Sequence, residues 1–294
     1  MINISKAFLI LLCLILASGC IRGKFGRVNI QAKALRVKDI EIAYKELGSG
    51  YPLVLIMGYG ASMDLWDPGV LKELSSRYKV IIFDNRGVGK SSATDKEFTI
   101  ELFADDTLQL IDALGIKQAH VLGYSMGTNI AQELALNHPE KVSKLILVEG
   151  DCGGKEAISA APDVFFELTD TTCPPEERVK RLISLLLPEK WLKAHPDVHN
   201  YLPFPEDTVS IESINRQTKA MEDWKGSFSR LTKITQPTLL ITGTEDIVTP
   251  PANSFLMVQR IPGAWLVQIE GGGHGLMYQY PKKFSDIILS FLEE

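Results

Sequence analysis

AHVLGYSMGTN, residues 119–129, is the stretch on which the reading of this chain turns. A short apolar run leads into Gly123-Tyr124-Ser125-Met126-Gly127, and the residues beyond it carry on as a helix through His138. This is the GxSxG pattern of a sharp strand-to-helix turn that pushes one serine hydroxyl out of a sheet. The glycines have a steric reason: the strand and helix flanking so tight a turn approach closely, and Cβ atoms there would collide.

A serine nucleophile needs a base to take its proton and an acid to orient that base, in the chain order Ser, Asp or Glu, His. Downstream of Ser125, QPTLLITGTEDIVTP (236–250) is an apolar strand ending at Gly243 with Asp246 in the following turn. AWLVQIEGGGHGLMYQYP (264–281) is a second strand ending in a glycine run that presents His274. Both residues lie just past the carboxyl end of a strand, where an open α/β sheet places its site. Of the other histidines, His120 sits inside the strand before the turn, His138 ends the following helix, and His195 and His199 fall in a helical insertion.

Four blocks now stand in order: LVLIMGYGASMDLW (53–66), VIIFDNRGVGKSS (80–92), HVLGYSMGTNIAQELALNHPEKV (120–142), and the TGTEDIVTP and GGGHGLMYQYP segments. On these the chain resembles the α/β-hydrolase superfamily over about residues 35–294, in the subgroup of cofactor-free esterases, lactonases, haloperoxidase-like enzymes and carbon–carbon bond hydrolases. The resemblance implies a mainly parallel eight-stranded sheet with helices on both faces and a helical lid after the sixth strand. It implies an oxyanion hole from the N–H groups of Tyr59 and Met126, with Met57 where the family usually carries a histidine. It also leaves Glu149 and Asp151, after the sixth strand, as alternative positions for the acid.

The implied activity is hydrolysis of a carboxylic ester or a related carbonyl such as a lactone by Ser125, His274 and Asp246, with no cofactor and no metal. Two other readings stay open: cofactor-free haloperoxidase or perhydrolase chemistry, and a non-catalytic surface-binding protein on a hydrolase scaffold. GVGKSS is not a phosphate loop, because the glycine required five residues before Gly89 is Asp84. By resemblance Asp84 and Arg86 brace the loops beneath the site, with contact between Arg86 and an acidic substrate as the alternative.

Periodicity places strands near 34–46 (a pair), 53–57, 80–84, 119–123, 144–149, 237–242 and 265–269. Helices are expected near 66–77, 100–114, 127–137, 251–260 and 281–292. Between about 153 and 230 the pattern shifts to Pro, Glu and Lys with helical stretches at 176–187 and 210–224, the expected lid, in which Trp191, Tyr201, Phe204 and Trp224 are candidate pocket walls.

The amino terminus carries a separate message. Residues 7–17, AFLILLCLILA, are wholly apolar and too short to span a bilayer as a helix, so residues 1–19 read as a secretory signal. ASGC resembles the bacterial lipoprotein box, which implies lipidation of Cys20, a tether over 20–33 ahead of a domain at 34–294, and anchoring in the bacterial cell envelope. Simple secretion as a soluble or periplasmic protein is the alternative. Cys152 and Cys173 remain, either as a disulfide pair or as two free thiols. The 294 residues, 45% hydrophobic, suffice for one large core, and a formal net charge of −5 without a basic tract argues against a nucleic-acid partner. The expected partner is a small ester-like substrate.

Overall fold

The computed structural model describes residues 30–203, 205, 207 and 209–294. The signal segment 1–19, Cys20, most of the 20–33 tether and Phe204 lie outside the described residues.

Eight strands form one sheet in the order β1-β2-β4-β3-β5-β6-β7-β8. They are β1 (Lys33–Val37), β2 (Ile40–Leu47), β3 (Pro52–Ile56), β4 (Lys79–Phe83), β5 (Ala119–Tyr124), β6 (Val142–Val148), β7 (Thr238–Gly243) and β8 (Trp265–Ile269). Only the pairings β1–β2 and β2–β4 are antiparallel. From β4 through β3, β5, β6 and β7 to β8 the pairings run parallel, so that all their carboxyl ends face one side. The 34–46 pair is a hairpin turned at Lys38 (φ 45) and Asp39.

Strand alternation divides the apolar residues between two cores. In β3, Val54 and Ile56 face one core while Leu53 and Leu55 face the other; in β4, Ile81 and Phe83 oppose Val80 and Ile82. The first core is covered by α2 (Ile100–Ala113), α3 (Met126–Asn137) and α8 (Ala252–Val258), through residues such as Phe103, Leu134 and Met257. The second is covered by α1 (Pro68–Ser75) and α10 (Pro281–Glu293), through Leu74, Phe284 and Ile288. This is the two-sided sheet that the family resemblance implies.

The helix expected at 66–77 begins later. Pro68 pushes the preceding residue out of the helical region, so Asp67 sits at ψ 125 and instead caps the helix, its Oδ1 accepting the Val70 N–H at 2.9 Å. Among the described residues between β6 and β7 lie four α-helices that form a cap: α4 (Pro162–Thr169), α5 (Pro175–Leu186), α6 (Glu189–Ala194) and α7 (Ile211–Asp223). A further short helix, α9 (Leu276–Gln279), follows His274 directly. Among the described residues no helix is long and apolar enough to cross a membrane.

Candidate active site

Ser125 occupies the single residue between β5 and α3, at φ 54 and ψ −124, a conformation that costs a non-glycine residue energy and is held by its surroundings. Its N–H donates to Val148 O at 2.9 Å on the neighbouring strand, and its carbonyl accepts from Thr128 N at 2.8 Å. The glycines of the motif now have measurable reasons. A Cβ on Gly123 would lie 2.2 Å from Gly127 O, and one on Gly127 would lie 2.2 Å from Ile56 O. The turn closes only because both are absent.

The three side chains singled out from the sequence meet. Ser125 Oγ is 2.9 Å from His274 Nε2, and His274 Nδ1 is 2.9 Å from Asp246 Oδ2. Asp246 is buried and its oxygens are well supplied. Oδ1 accepts the N–H groups of Val248 and Thr249, each at 2.9 Å, and Oδ2 faces the Thr249 hydroxyl at 2.7 Å as well as the imidazole. Donors on Oδ1 and the imidazole on Oδ2 set the ring so that, with the proton on Nδ1, Nε2 can accept from the serine hydroxyl.

Several groups that carry no motif signal hold the histidine loop. The Tyr124 hydroxyl donates to His274 O at 2.7 Å, and the Gly273 N–H donates to Gln279 Oε1 at 2.7 Å. The Gly275 N–H donates to Leu186 O at 2.7 Å, so the end of α5 grips this loop from above. Tyr124 is the first of the two variable residues of GxSxG, and nothing in its type announces this contact.

Glu149 stands directly behind the acid. It follows β6 directly at φ 49, is buried, and its carboxyl shares with Asp246 and His274 a cluster whose ligand-type atoms lie within 4.8 Å of one another. Neither of its carboxyl oxygens has a hydrogen-bond partner. Burial, reinforced by the charge of Asp246, pushes the Glu149 carboxyl well above the usual carboxylate range, opposed only by the Leu276 N–H, which approaches without closing a hydrogen bond. Of this pair of acids Glu149 is the one whose carboxyl burial pushes up, and Asp246 is the one that holds the imidazole. The other alternative acid, Asp151, is turned elsewhere, its Oδ1 accepting from Asn129 Nδ2 at 3.2 Å and Gly153 N at 2.8 Å. The Glu149, Asp246 and His274 cluster has the residue types of a metal site, but an ion there would have to displace the Nδ1 proton that links base to acid.

The Met57–Gly60 loop packs on the turn: a Cβ on Gly58 would lie 2.9 Å from Ser125 Cβ. This brings the loop carrying the Tyr59 N–H to the serine, while Met126, buried as the first residue of α3, follows it in the chain. Beneath the loop, Asn85 Nδ2 donates to Met57 O at 3.0 Å, a brace the sequence reading did not single out although it falls within the DNRG segment. Asp84 accepts from Met63 N at 2.7 Å and Lys90 N at 2.9 Å, as expected of a bracing residue. Arg86, 1% exposed, is spent on Asp106 (2.6 and 2.7 Å) and Asp39 (3.1 and 3.2 Å), leaving no donor aimed at a substrate.

Other candidates have separate roles. His120 packs under Tyr51 at 4.6 Å, and burial lowers its pKa to about 4. Trp191 stacks on His195 at 4.0 Å and meets Tyr201 edge-on at 5.1 Å, an aromatic cluster internal to the cap. Trp224 donates its indole N–H to Glu133 Oε1 at 2.8 Å and packs into the first core. His138 follows α3, and His199 lies in a cap turn at Val198–Asn200. Cys152 and Cys173 are free thiols, the former buried and pushed up to about 11 by burial.

A family model for the alpha/beta hydrolase fold matches residues 51–281. The chain is 31% identical over 248 residues to the Caulobacter vibrioides protein named "Putative carbamate hydrolase RutD", covering 82% of this chain and 90% of that one. Among solved structures it is similar to an alpha/beta hydrolase fold protein from Chitinophaga pinensis, at 28% identity and a TM-score of 0.79 over 90% of this chain and 98% of that chain. An esterase from Exiguobacterium antarcticum matches at 25% identity and a TM-score of 0.74, over 90% of this chain and 100% of that chain.

Proposed function

Since the chain belongs to the α/β-hydrolase family and is a hydrolase, we propose that it cleaves a carboxylic ester or lactone through an acyl-Ser125 intermediate. The observation that carries the proposal is the continuous path from Ser125 Oγ through both ring nitrogens of His274 to Asp246, with 2.9 Å at each contact.

In this mechanism Ser125 Oγ bonds to the substrate carbonyl carbon as its proton passes to His274 Nε2. The carbonyl electrons move onto oxygen, which the N–H groups of Tyr59 and Met126 receive. Each such donor contributes about 2.7 to 4 kcal/mol to the transition state. Collapse of the tetrahedral species expels the alcohol, which takes the Nε2 proton. Water then attacks acyl-Ser125 with His274 again as base and releases the acid. Asp246 holds the ring through Nδ1 and favours its charged form.

The Caulobacter vibrioides relative's name points to carbamates, whose carbonyl carbon is open to the same attack. An aryl carbamate therefore belongs beside p-nitrophenyl esters from acetate to palmitate in the assay. A fluorophosphonate probe should label the wild-type enzyme and not Ser125→Ala, which should also lose on the order of 10⁶ in kcat by analogy with serine proteases. Near-normal turnover by that variant would end the serine mechanism. The same proposal places the enzyme at the bacterial cell envelope, exported by residues 1–19 and held through a lipid on Cys20.

A further inference from the structure

Helix α7 of the cap touches the oxyanion loop through polar contacts that the mechanism above does not use. Gln217, fully buried, accepts the Gly60 N–H on Oε1 at 2.8 Å. Thr218 meets the Tyr59 hydroxyl at 2.7 Å, and Ile214 approaches to 4.0 Å of the Cβ position of Gly60. The spacing 214, 217, 218 puts all three on one face of the helix.

The contacts fall on the residue that matters, Tyr59, and on the one after it. Gly60 has φ 63 and no side chain by which packing can hold it, so a main-chain hydrogen bond is the direct way to orient the Tyr59–Gly60 peptide. With that peptide tied to Gln217 and the Tyr59 ring tied to Thr218, the backbone of Tyr59 loses its rotational freedom. The direction of its own N–H is then set.

α7 is itself firmly seated. At its end Trp224 donates to Glu133, which also pairs with Arg230, and Glu133 lies on α3, the helix that begins beside Ser125. Arg216 donates to Thr94 O at 2.7 Å and lies 3.7 Å over the Phe98 ring. The same cap helix thus refers the oxyanion loop to the helix that carries Met126.

We infer that Gln217 is a positioning residue for the oxyanion hole: by holding the Gly60 N–H it aims the Tyr59 N–H, so the cap completes the hole as well as covering the serine. The inference rests on the serine-hydrolase reading. Because the oxyanion forms only as the reaction proceeds, loss of this positioning lowers kcat and leaves KM nearly unchanged.

The test uses Gln217→Met, similar in length but without an acceptor, and Thr218→Val, which frees the Tyr59 hydroxyl with little change of volume. Sites are first counted by fluorophosphonate labelling carried to completion, and kcat is expressed per labelled site, so that partial misfolding does not register. Gln217→Met should lower kcat about 10- to 100-fold, the scale of disturbing one donor, with KM within about threefold. Thr218→Val should show the same split at about three- to tenfold and carries the test if Gln217→Met does not fold. Unchanged kcat per labelled site in the variants that fold, or a KM rise that accounts for the whole loss, overturns the inference. Wild-type enzyme that takes up no label refutes the serine reading instead, and the inference with it.

Discussion

Replacing Asp246 by Asn tests the division of labour between two neighbouring acids. In the native site Oδ1 receives two backbone N–H groups and Oδ2 receives the imidazole. An asparagine has one oxygen for these two tasks. If the oxygen keeps the backbone donors, the NH2 faces His274 and forces the ring proton onto Nε2, where it meets Ser125 and cannot accept from it. The equivalent change in serine proteases costs about 10⁴ in kcat, equal to about 5 kcal/mol of barrier. Glu149 adds a feature specific to this chain, because removing the Asp246 charge removes part of what keeps Glu149 protonated. The residual activity of Asp246→Asn should therefore rise with pH and should fall further in the Asp246→Asn, Glu149→Gln double variant. The assay is p-nitrophenyl ester hydrolysis per labelled site from pH 5 to 10. Activity of Asp246→Asn within tenfold of wild type would refute the reasoning and transfer the role of acid to Glu149.

Stability supplies a second test of Glu149. A carboxyl whose folded pKa is raised stays protonated in the folded state while the unfolded chain ionises, so stability is lost as pH rises above the ordinary glutamate value of 4.5. Each pH unit in that window costs about 1.4 kcal/mol, and urea melts at pH 5 and 8 should show Glu149→Gln falling less steeply than wild type. Equal slopes would mean that Glu149 is charged in the fold. Arg86→Met should destabilise by about 3 to 5 kcal/mol in the same melts, since it strands the buried Asp106. A loss below about 1 kcal/mol would mark the network as dispensable, the level of a surface pair. Cys20→Ala should move the hydrolase from the membrane fraction to a soluble one, whereas unchanged fractionation would remove the lipid anchor from the account.

Much of this site was legible because its chemistry is written in short local patterns. GxSxG encodes a steric condition, two close backbone approaches at 2.2 Å, that only glycine meets. Asp246 and His274 each follow an apolar run that reads as a strand, β7 buried throughout and β8 at the sheet edge, and the parallel pairings bring those strand ends to one side. The supporting contacts follow no such rule. Tyr124, Gln279 and Gln217 act through the side chain of one segment on the backbone of another, and a backbone N–H donates to, or a backbone carbonyl accepts from, any side chain that reaches it. Likewise, nothing in the spacing of Trp191 and Trp224 separated a pocket wall from packing. Their stacking and indole contacts decided it.

What the sequence determined by itself was the alternation that makes the sheet two-sided, the strained turn at Ser125, and the placement of Ser125, Asp246 and His274 after successive strands, since each depends on neighbours within a few residues or on the succession of strands. The tertiary structure decided which of two acids meets the imidazole, because Asp246 and Glu149 differ in the donors around them and not in their own chemistry. It also decided that a cap helix grips the Met57–Gly60 loop, because Gln217 and Gly60 are separated by a long span of chain whose path only folding establishes.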